Sequence, residues 1–263
     1  MSNSKLSKMR FAIVEGKKAE ATPRAKGVCP NCTSELIAKC GRVKVWHWAH
    51  KGNPPCDPWF ESETEWHRTW KSCFPIDWQE VSHTDSVTGE KHIADVKTPF
   101  GLVIEFQHSA ITPEERDARE KFYKKMIWIV NGNRAQSDLW YFERGLKLID
   151  KDRRTFEIKW EGPSMLLHNW SDSSARVFFD FGGPELWRLL EFDNKSKIGS
   201  VKLALKISLQ NFINEKVAGQ RSELDEMQLT LLALKIQNNR SKGLPGFERY
   251  SARKRRKRGP RRF

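Results

Sequence analysis

Between residues 78 and 130 the apolar positions change period from that of strands to that of a helix and back. His92-Ile93-Ala94-Asp95-Val96-Lys97 and Leu102-Val103-Ile104-Glu105-Phe106-Gln107 alternate or run apolar as strands do, with Pro99-Phe100-Gly101 between them. A three-residue hairpin loop favours a type I turn closed by a left-handed residue, and Pro99 and Gly101 suit its first and last positions. That loop pairs Thr98 with Leu102 and therefore Asp95 with Glu105. Side chains two apart share a face, so Lys97 and Gln107 join the two acids, while Ala94, Val96, Ile104 and Phe106 form the opposite face.

The flanking pattern supplies further elements. Trp66, Trp70 and Phe74 recur at helical spacing within a helix expected from about Glu61 to Cys73, which Pro75 ends. Thr112-Pro113-Glu114-Glu115 is a helix start, with Thr112 as N-cap, Pro113 at N1 and Glu115 completing a capping box. That helix runs to about Met126, and Ile127-Trp128-Ile129-Val130 is a short buried strand. Strands are expected near 10–14 and 78–83. The order strand, strand, strand, helix, strand predicts an α/β mixed sheet flanked by helices. Beyond 140, strands near 154–160 and 175–181 and helices near 184–191, 204–217 and 222–238 suggest an α+β accessory region. The expected divisions are 1–57, 58–140, 141–239 and 240–263.

Charge changes the picture at one end. The formal net charge is +14, but residues 240–263 hold eleven Lys and Arg against Glu248 alone, a net +10. Arg253, Lys254, Arg255, Arg256, Lys257 and Arg258 repel one another too strongly to fold alone. Such a run serves either as a phosphate-binding arm that releases counterions or as a solubilising tail. Mean hydropathy is −0.68, and no apolar run approaches the ~20 residues of a membrane helix. Met1-Ser2-Asn3-Ser4-Lys5 has no signal-like apolar region, so a cytoplasmic location is expected.

Five cysteines are an odd number for a disulfide framework, and Cys29, Cys32, Cys40 and Cys56 lie within 28 residues. Cys29-Pro30-Asn31-Cys32 has the spacing that aims two thiolates at one Zn²⁺. With His47 and His50 it reads C-x2-C-x14-H-x2-H, a closed four-ligand set suited to a structural zinc. Cys56, or Cys40, is an alternative to either histidine. The competing reading is two free thiols and two packed histidines. Cys73 falls on the apolar helix and is expected in the core.

Two carboxylates facing each other repel, and are usually kept because a divalent cation or a shared proton lies between them. Asp95 and Glu105 supply the one or two carboxylates that Mg²⁺, or Mn²⁺, prefers, with the Phe106 carbonyl as a further ligand. Such an ion suits phosphodiester hydrolysis. Lys97 shares their face and would add positive charge. His67 follows Glu63 by one helical turn and would carry a proton or bond the phosphate, or else lie on the helix surface. Arg116, Arg119 and Tyr123 share a helical face. The arginines would meet DNA phosphate, or Arg119 and Tyr123 would pack on the sheet beside Glu115.

Taken in order, Cys29-Pro-x-Cys32, His47-Trp-Ala-His50, Glu63-Thr-Glu-Trp-His67, Ile93-Ala-Asp95, Ile104-Glu105-Phe106-Gln107 and Arg116-x-x-Arg119-x-x-x-Tyr123 resemble the competence protein CoiA-like family over roughly residues 10–135. The resemblance implies the PD-(D/E)xK nuclease superfamily, a restriction-endonuclease-like fold in 58–140, and a role in handling incoming or mobile DNA. It makes Asp95 and Glu105 the metal-binding acids and Glu63 a further acidic group. Gln107 then stands where the superfamily usually has Lys.

The expected protein is thus a Mg²⁺-dependent deoxyribonuclease with a structural Zn²⁺, DNA as substrate and DNA-processing or defence proteins as partners. The competing expectation is a noncatalytic factor that protects single-stranded DNA, its eleven tryptophans offering stacking surfaces. An RNA nuclease would use the same metal chemistry.

Overall fold

The computed structural model describes residues 8–52, 56–59, 61 and 63–215. Two sheets organise them. The small one contains β1 (Lys8–Met9), β2 (Phe11–Val14), β3 (Lys17–Glu20), β4 (Lys26–Val28), β5 (Glu35–Lys39) and β6 (His47–His50). Its order is β1-β6-β5-β4-β2-β3, every neighbouring pair antiparallel. Met9, Ala12, Ala21, Cys29, Leu36 and Trp48 form its core.

Helix α1 (Glu65–Lys71) then leads into the large sheet. Thr64 caps it, accepting the backbone N–H of His67. β7 (Gln79–Thr84), β8 (Lys91–Lys97) and β9 (Val103–Gln107) follow as an antiparallel meander. The β8–β9 turn is the expected one: Thr98 N–H donates to Leu102 O (2.9 Å), Gly101 N–H donates to Thr98 O (3.0 Å), and Gly101 has φ +79°. α2 (Pro113–Tyr123), capped by Thr112, carries the chain over to β10 (Met126–Asn131), which lies parallel to β9.

α3 (Asp138–Gly145), β11 (Leu146–Asp150), β12 (Thr155–Lys159), β13 (Arg176–Asp180), β14 (Glu185–Asp193), β15 (Ile198–Leu205) and α4 (Lys206–Glu215) complete the described chain. The nine strands run β11-β12-β15-β14-β13-β10-β9-β8-β7. Among the described residues only β9–β10 and β10–β13 pair in parallel, so the sheet is mixed.

The strands after residue 140 therefore extend the same sheet. The helix expected at 184–191 is instead strand β14 from Glu185 onward. β14 is hydrogen-bonded to β13 on one side and β15 on the other, and such tertiary pairing outweighs local helix preference.

One face of the large sheet presents Val96, Ile104, Phe106, Ile127, Ile129 and Phe178 to Trp70 and Phe74 from the α1 segment and to Ile213 of α4. The other carries Glu105 and Trp128 toward α2, whose Arg119 and Glu120 bond those two residues. Among the described residues no helix is long and apolar enough to cross a membrane. The expected helix at 222–238 and the basic run from Arg253 through Lys254, Arg255, Arg256 and Lys257 to Arg258 lie outside the described residues.

Candidate active site and metal centre

Glu80, Asp95 and Glu105 form a row across three neighbouring strands. Gln79–Val96 and Val81–Ala94 pairing puts Glu80 opposite Asp95. Regular β8–β9 pairing ends at Val96–Ile104, so Asp95 comes opposite Glu105. At that point carboxylates take over from the ladder. Asp95 N–H donates to Glu105 Oε1 (3.2 Å), and Phe106 N–H donates to Asp95 Oδ2 (3.0 Å).

Cations stand at both ends of the row. Lys71, fully buried on α1, lies 2.6 Å from Glu63 Oε2, 2.8 Å from Glu80 Oε1 and 3.7 Å from Asp95 Oδ1. Arg119 donates to Glu105 Oε2 (3.0 Å) and also bonds Glu115 and the Trp59 carbonyl. Counting Arg68, 3.6 Å from Glu63, three cations face the four carboxylates Glu63, Glu80, Asp95 and Glu105, so ionising all four would leave negative charge in excess.

The protonation states reflect this crowding. Burial, and then the Asp95 charge, push Glu105 up to about 8 despite Arg119. Burial also raises Glu63 against the pull of Lys71, with Glu80 and Asp95 adding to the rise. Glu80 is held low although buried, because Lys71 and the backbone N–H groups of Phe11 and Arg10 favour its charged form. Lys71 stays charged because Glu80, Glu63 and Asp95 outweigh its desolvation. Asp95 is the acid of the row that reaches solvent, its side chain 25% exposed. Glu63 Oε1 and Gln107 Oε1 are buried acceptors without a hydrogen bond.

His67 completes one wall. Its Nε2 faces the Phe106 carbonyl (3.0 Å) and Glu61 Oε2 (3.3 Å), while Nδ1 faces Thr64 Oγ1 (2.8 Å). Burial works against its charge, but Glu61 and Asp95 raise its pKa. Burial likewise works against Glu61, yet bonds with His67, Ser109 and His108 hold it at about 2.

Several expectations change here. Lys97 does share the sheet face of Asp95, but its ammonium donates to His83 Nδ1 (2.6 Å). Lys71 is the ammonium beside the acids. The Phe106 carbonyl, expected as a free ligand, lies against His67. Arg116 and Arg119 are buried and engaged, Arg116 on the Asn169 carbonyl (2.6 Å) and on Asp117, so neither presents a free guanidinium to phosphate. Glu63 immediately precedes the N-cap of α1. Gln107 lies on the face of Glu105, its amide nitrogen donating to Ser109 O (3.1 Å).

Lys71, Glu80 and Glu61 were not singled out by sequence pattern. One signal existed for Lys71: it lies four residues after His67 and thus on the same helical face.

The second centre is the cysteine cluster. The ligand atoms of Cys29, Cys32, His50 and Cys56 all lie within 4.8 Å of one another. Cys29 Sγ and Cys56 Sγ are 3.7 Å apart, and Cys32 Sγ lies 3.2 Å from His50 Nε2. Tetrahedral zinc–thiolate bonds of ~2.3 Å put two sulfurs about 3.8 Å apart. The set therefore fits a metal ion such as zinc.

Cys56, not His47, is the fourth member. His47 and His50 lie on strand β6, where residues three apart point to opposite faces. His47 Nδ1 instead faces the Val45 carbonyl (2.7 Å). The cluster adjoins β8 through the next residue, since Asp57 accepts the Ile93 N–H (2.6 Å) and faces His92 Nδ1 (2.8 Å).

Residues 15–58 match the family model for competence protein CoiA, N-terminal domain. The match contains all four residues of the metal cluster and supports the CoiA-like resemblance of this part of the chain. No curated protein and no solved structure matches the chain.

Proposed function

We propose that this protein is a metal-dependent DNA nuclease of the PD-(D/E)xK kind, with Asp95, Glu105 and Glu63 as its acidic centre. The observation that carries this reading is the row of acids across β7, β8 and β9, with more carboxylates than cations and Glu105 pushed up to about 8. Buried acids arranged so favour a shared proton or a divalent cation.

The residues present fit such an ion. Asp95 opens to solvent, Glu63 Oε1 accepts no hydrogen bond, and Glu105 holds a proton that a cation would displace. Bound there, Mg²⁺ or Mn²⁺ would stabilise charge on the phosphate and lower the pKa of the attacking water.

The chain's own groups have separate tasks. Lys71 keeps a fixed positive charge beside Asp95 in the place proposed for Lys97. Gln107 offers its unbonded Oε1 to a water. His67 holds the end of β9 by its carbonyl, with Glu61 fixing the ring. Arg119 clamps Glu105 from α2.

End-labelled and circular DNA, single- and double-stranded, with RNA alongside, would be incubated with Mg²⁺, Mn²⁺ or EDTA. Metal-dependent DNA cleavage that disappears in Asp95→Ala and Glu105→Ala while binding persists is the expected result. Tight binding without cleavage in any metal would overturn it and leave the noncatalytic binding factor.

A further inference from the structure

A groove of about 870 Å³ runs between the loop joining β5 to β6 and the start of α1. Cations Arg42 and Lys44 come from the loop, Arg68 from the helix. Trp46 is 45% exposed and Val43 at the loop tip 96% exposed.

The indole is anchored. Trp46 Nε1 donates to Gly41 O (3.1 Å), and the Trp46 carbonyl accepts from Arg68. Arg68 also reaches Glu63 Oε1 at 3.6 Å, so the inner wall of the groove is tied to the acidic centre. Two acids line the groove as well. Glu20 is paired with Arg10 (2.7 Å), whereas Glu65 stands exposed in the first turn of α1. With Glu20 paired to Arg10 and Arg68 to Glu63, Arg42 and Lys44 stand against Glu65 alone, which leaves the groove positive.

An anchored, half-exposed aromatic face within a positive groove has the chemistry of a platform for unpaired bases. Bases stack on the ring while their phosphates meet the cations. In a duplex the base faces are covered by neighbouring pairs, so this surface selects an unpaired strand. We propose that the groove binds a single-stranded segment of nucleic acid, with a base on Trp46 and phosphates at Arg42 and Lys44. The strand would then lead toward Glu63. This names the strand form of the substrate, and the cleavage of the bound strand rests on the nuclease reading.

The test is equilibrium binding of labelled oligothymidylate and of a matched duplex to the full chain, in EDTA, across a range of salt. Trp46→Ala is expected to weaken single-strand binding by about tenfold and to leave duplex binding unchanged, with Trp46→Phe restoring most of the loss. Arg42→Gln/Lys44→Gln should reduce the slope of log affinity against log salt by about 1.4, two contacts at about 0.7 each. A structural effect of the loop would not change that slope. Single-strand affinity and slope equal to wild type in both variants would overturn the proposal. So would Trp46-dependent binding to anionic vesicles with none to the oligonucleotide.

Cleavage by the same variants in Mg²⁺ separates the two ideas. Trp46-dependent binding without cleavage in wild type removes the nuclease reading alone. Cleavage of single strands at wild-type affinity in Trp46→Ala removes the groove alone.

Discussion

Glu80 Oε1 lies 2.8 Å from Lys71 Nζ, and the same carboxylate accepts the backbone N–H groups of Arg10 (3.0 Å) and Phe11 (2.9 Å). One buried acid thus joins the small sheet to α1 and, through Lys71, to Glu63 and Asp95. It does so from left-handed backbone, φ +46°, a conformation that costs on the order of 1–3 kcal/mol in a residue other than glycine.

Breaking that pair should be expensive. Lys71→Met leaves buried carboxylates without their cation and is expected to lower the unfolding free energy by about 3–5 kcal/mol. Lys71→Met/Glu80→Gln should cost less than the sum of its single variants, because each single variant strands the other partner. Urea unfolding of the four proteins measures this. Additive costs would mean that the two residues act independently.

Glu105 gives a pH dependence of definite sign. Its folded pKa, about 8, lies above the ordinary carboxylate value, so the folded chain binds the extra proton. Its contribution is complete below the unfolded pKa of ~4.3 and is lost as pH rises through about 8. Unfolding free energy should fall between pH 5 and 8 more steeply in wild type than in Glu105→Gln. Parallel curves would contradict this. Mn²⁺ or Mg²⁺ should restore most of that stability above pH 8, where Glu105 gives up its proton.

The cysteine cluster predicts one tightly bound metal per chain. Cys56→Ser and His50→Ala should lose it, whereas His47→Ala should retain it, as read by elemental analysis after gel filtration. Loss of metal in His47→Ala with retention in Cys56→Ser would reverse the ligand assignment. Chelation should also destabilise the small sheet, since part of its folding free energy would come from the ion.

Gly145, at the end of α3, tests the packing of the later strands. A Cβ there would collide with the Lys159 carbonyl oxygen and lie 3.0 Å from Ile158 Cδ1. Gly145→Ala is therefore expected to cost about 1–3 kcal/mol, seen as a lowered thermal midpoint. An unchanged midpoint would mean that α3 and β12 separate easily.

The hairpin was legible because everything that sets it is local. Pro99 and Gly101 define the turn, and the turn defines the Asp95–Glu105 register. The Cys29–Cys32 knuckle was legible for the same reason. His47 misled because H-x2-H suits one face of a helix or turn, and these residues form a strand. Lys71 was hidden because a lysine on a short helix is ordinarily solvated. Glu63, Glu80 and Asp95 enclose it together, and Glu80 is itself held by the backbone of Arg10 and Phe11. The strand at 185–193 was equally invisible, since the partners that define it come from β13 and β15.

The carboxylates that interrupt the β8–β9 ladder have a consequence for observation. The amide of Asp95 is bonded to Glu105, and the amide of Phe106 to Asp95. Two backbone protons therefore owe their shielding from solvent exchange to side-chain oxygens and not to the ladder. Anything that draws those oxygens away, a proton or a cation, would alter the exchange rates and ¹⁵N shifts of these two amides. The polypeptide carries its own spectroscopic gauge of what occupies the acidic row, readable before any substrate is known.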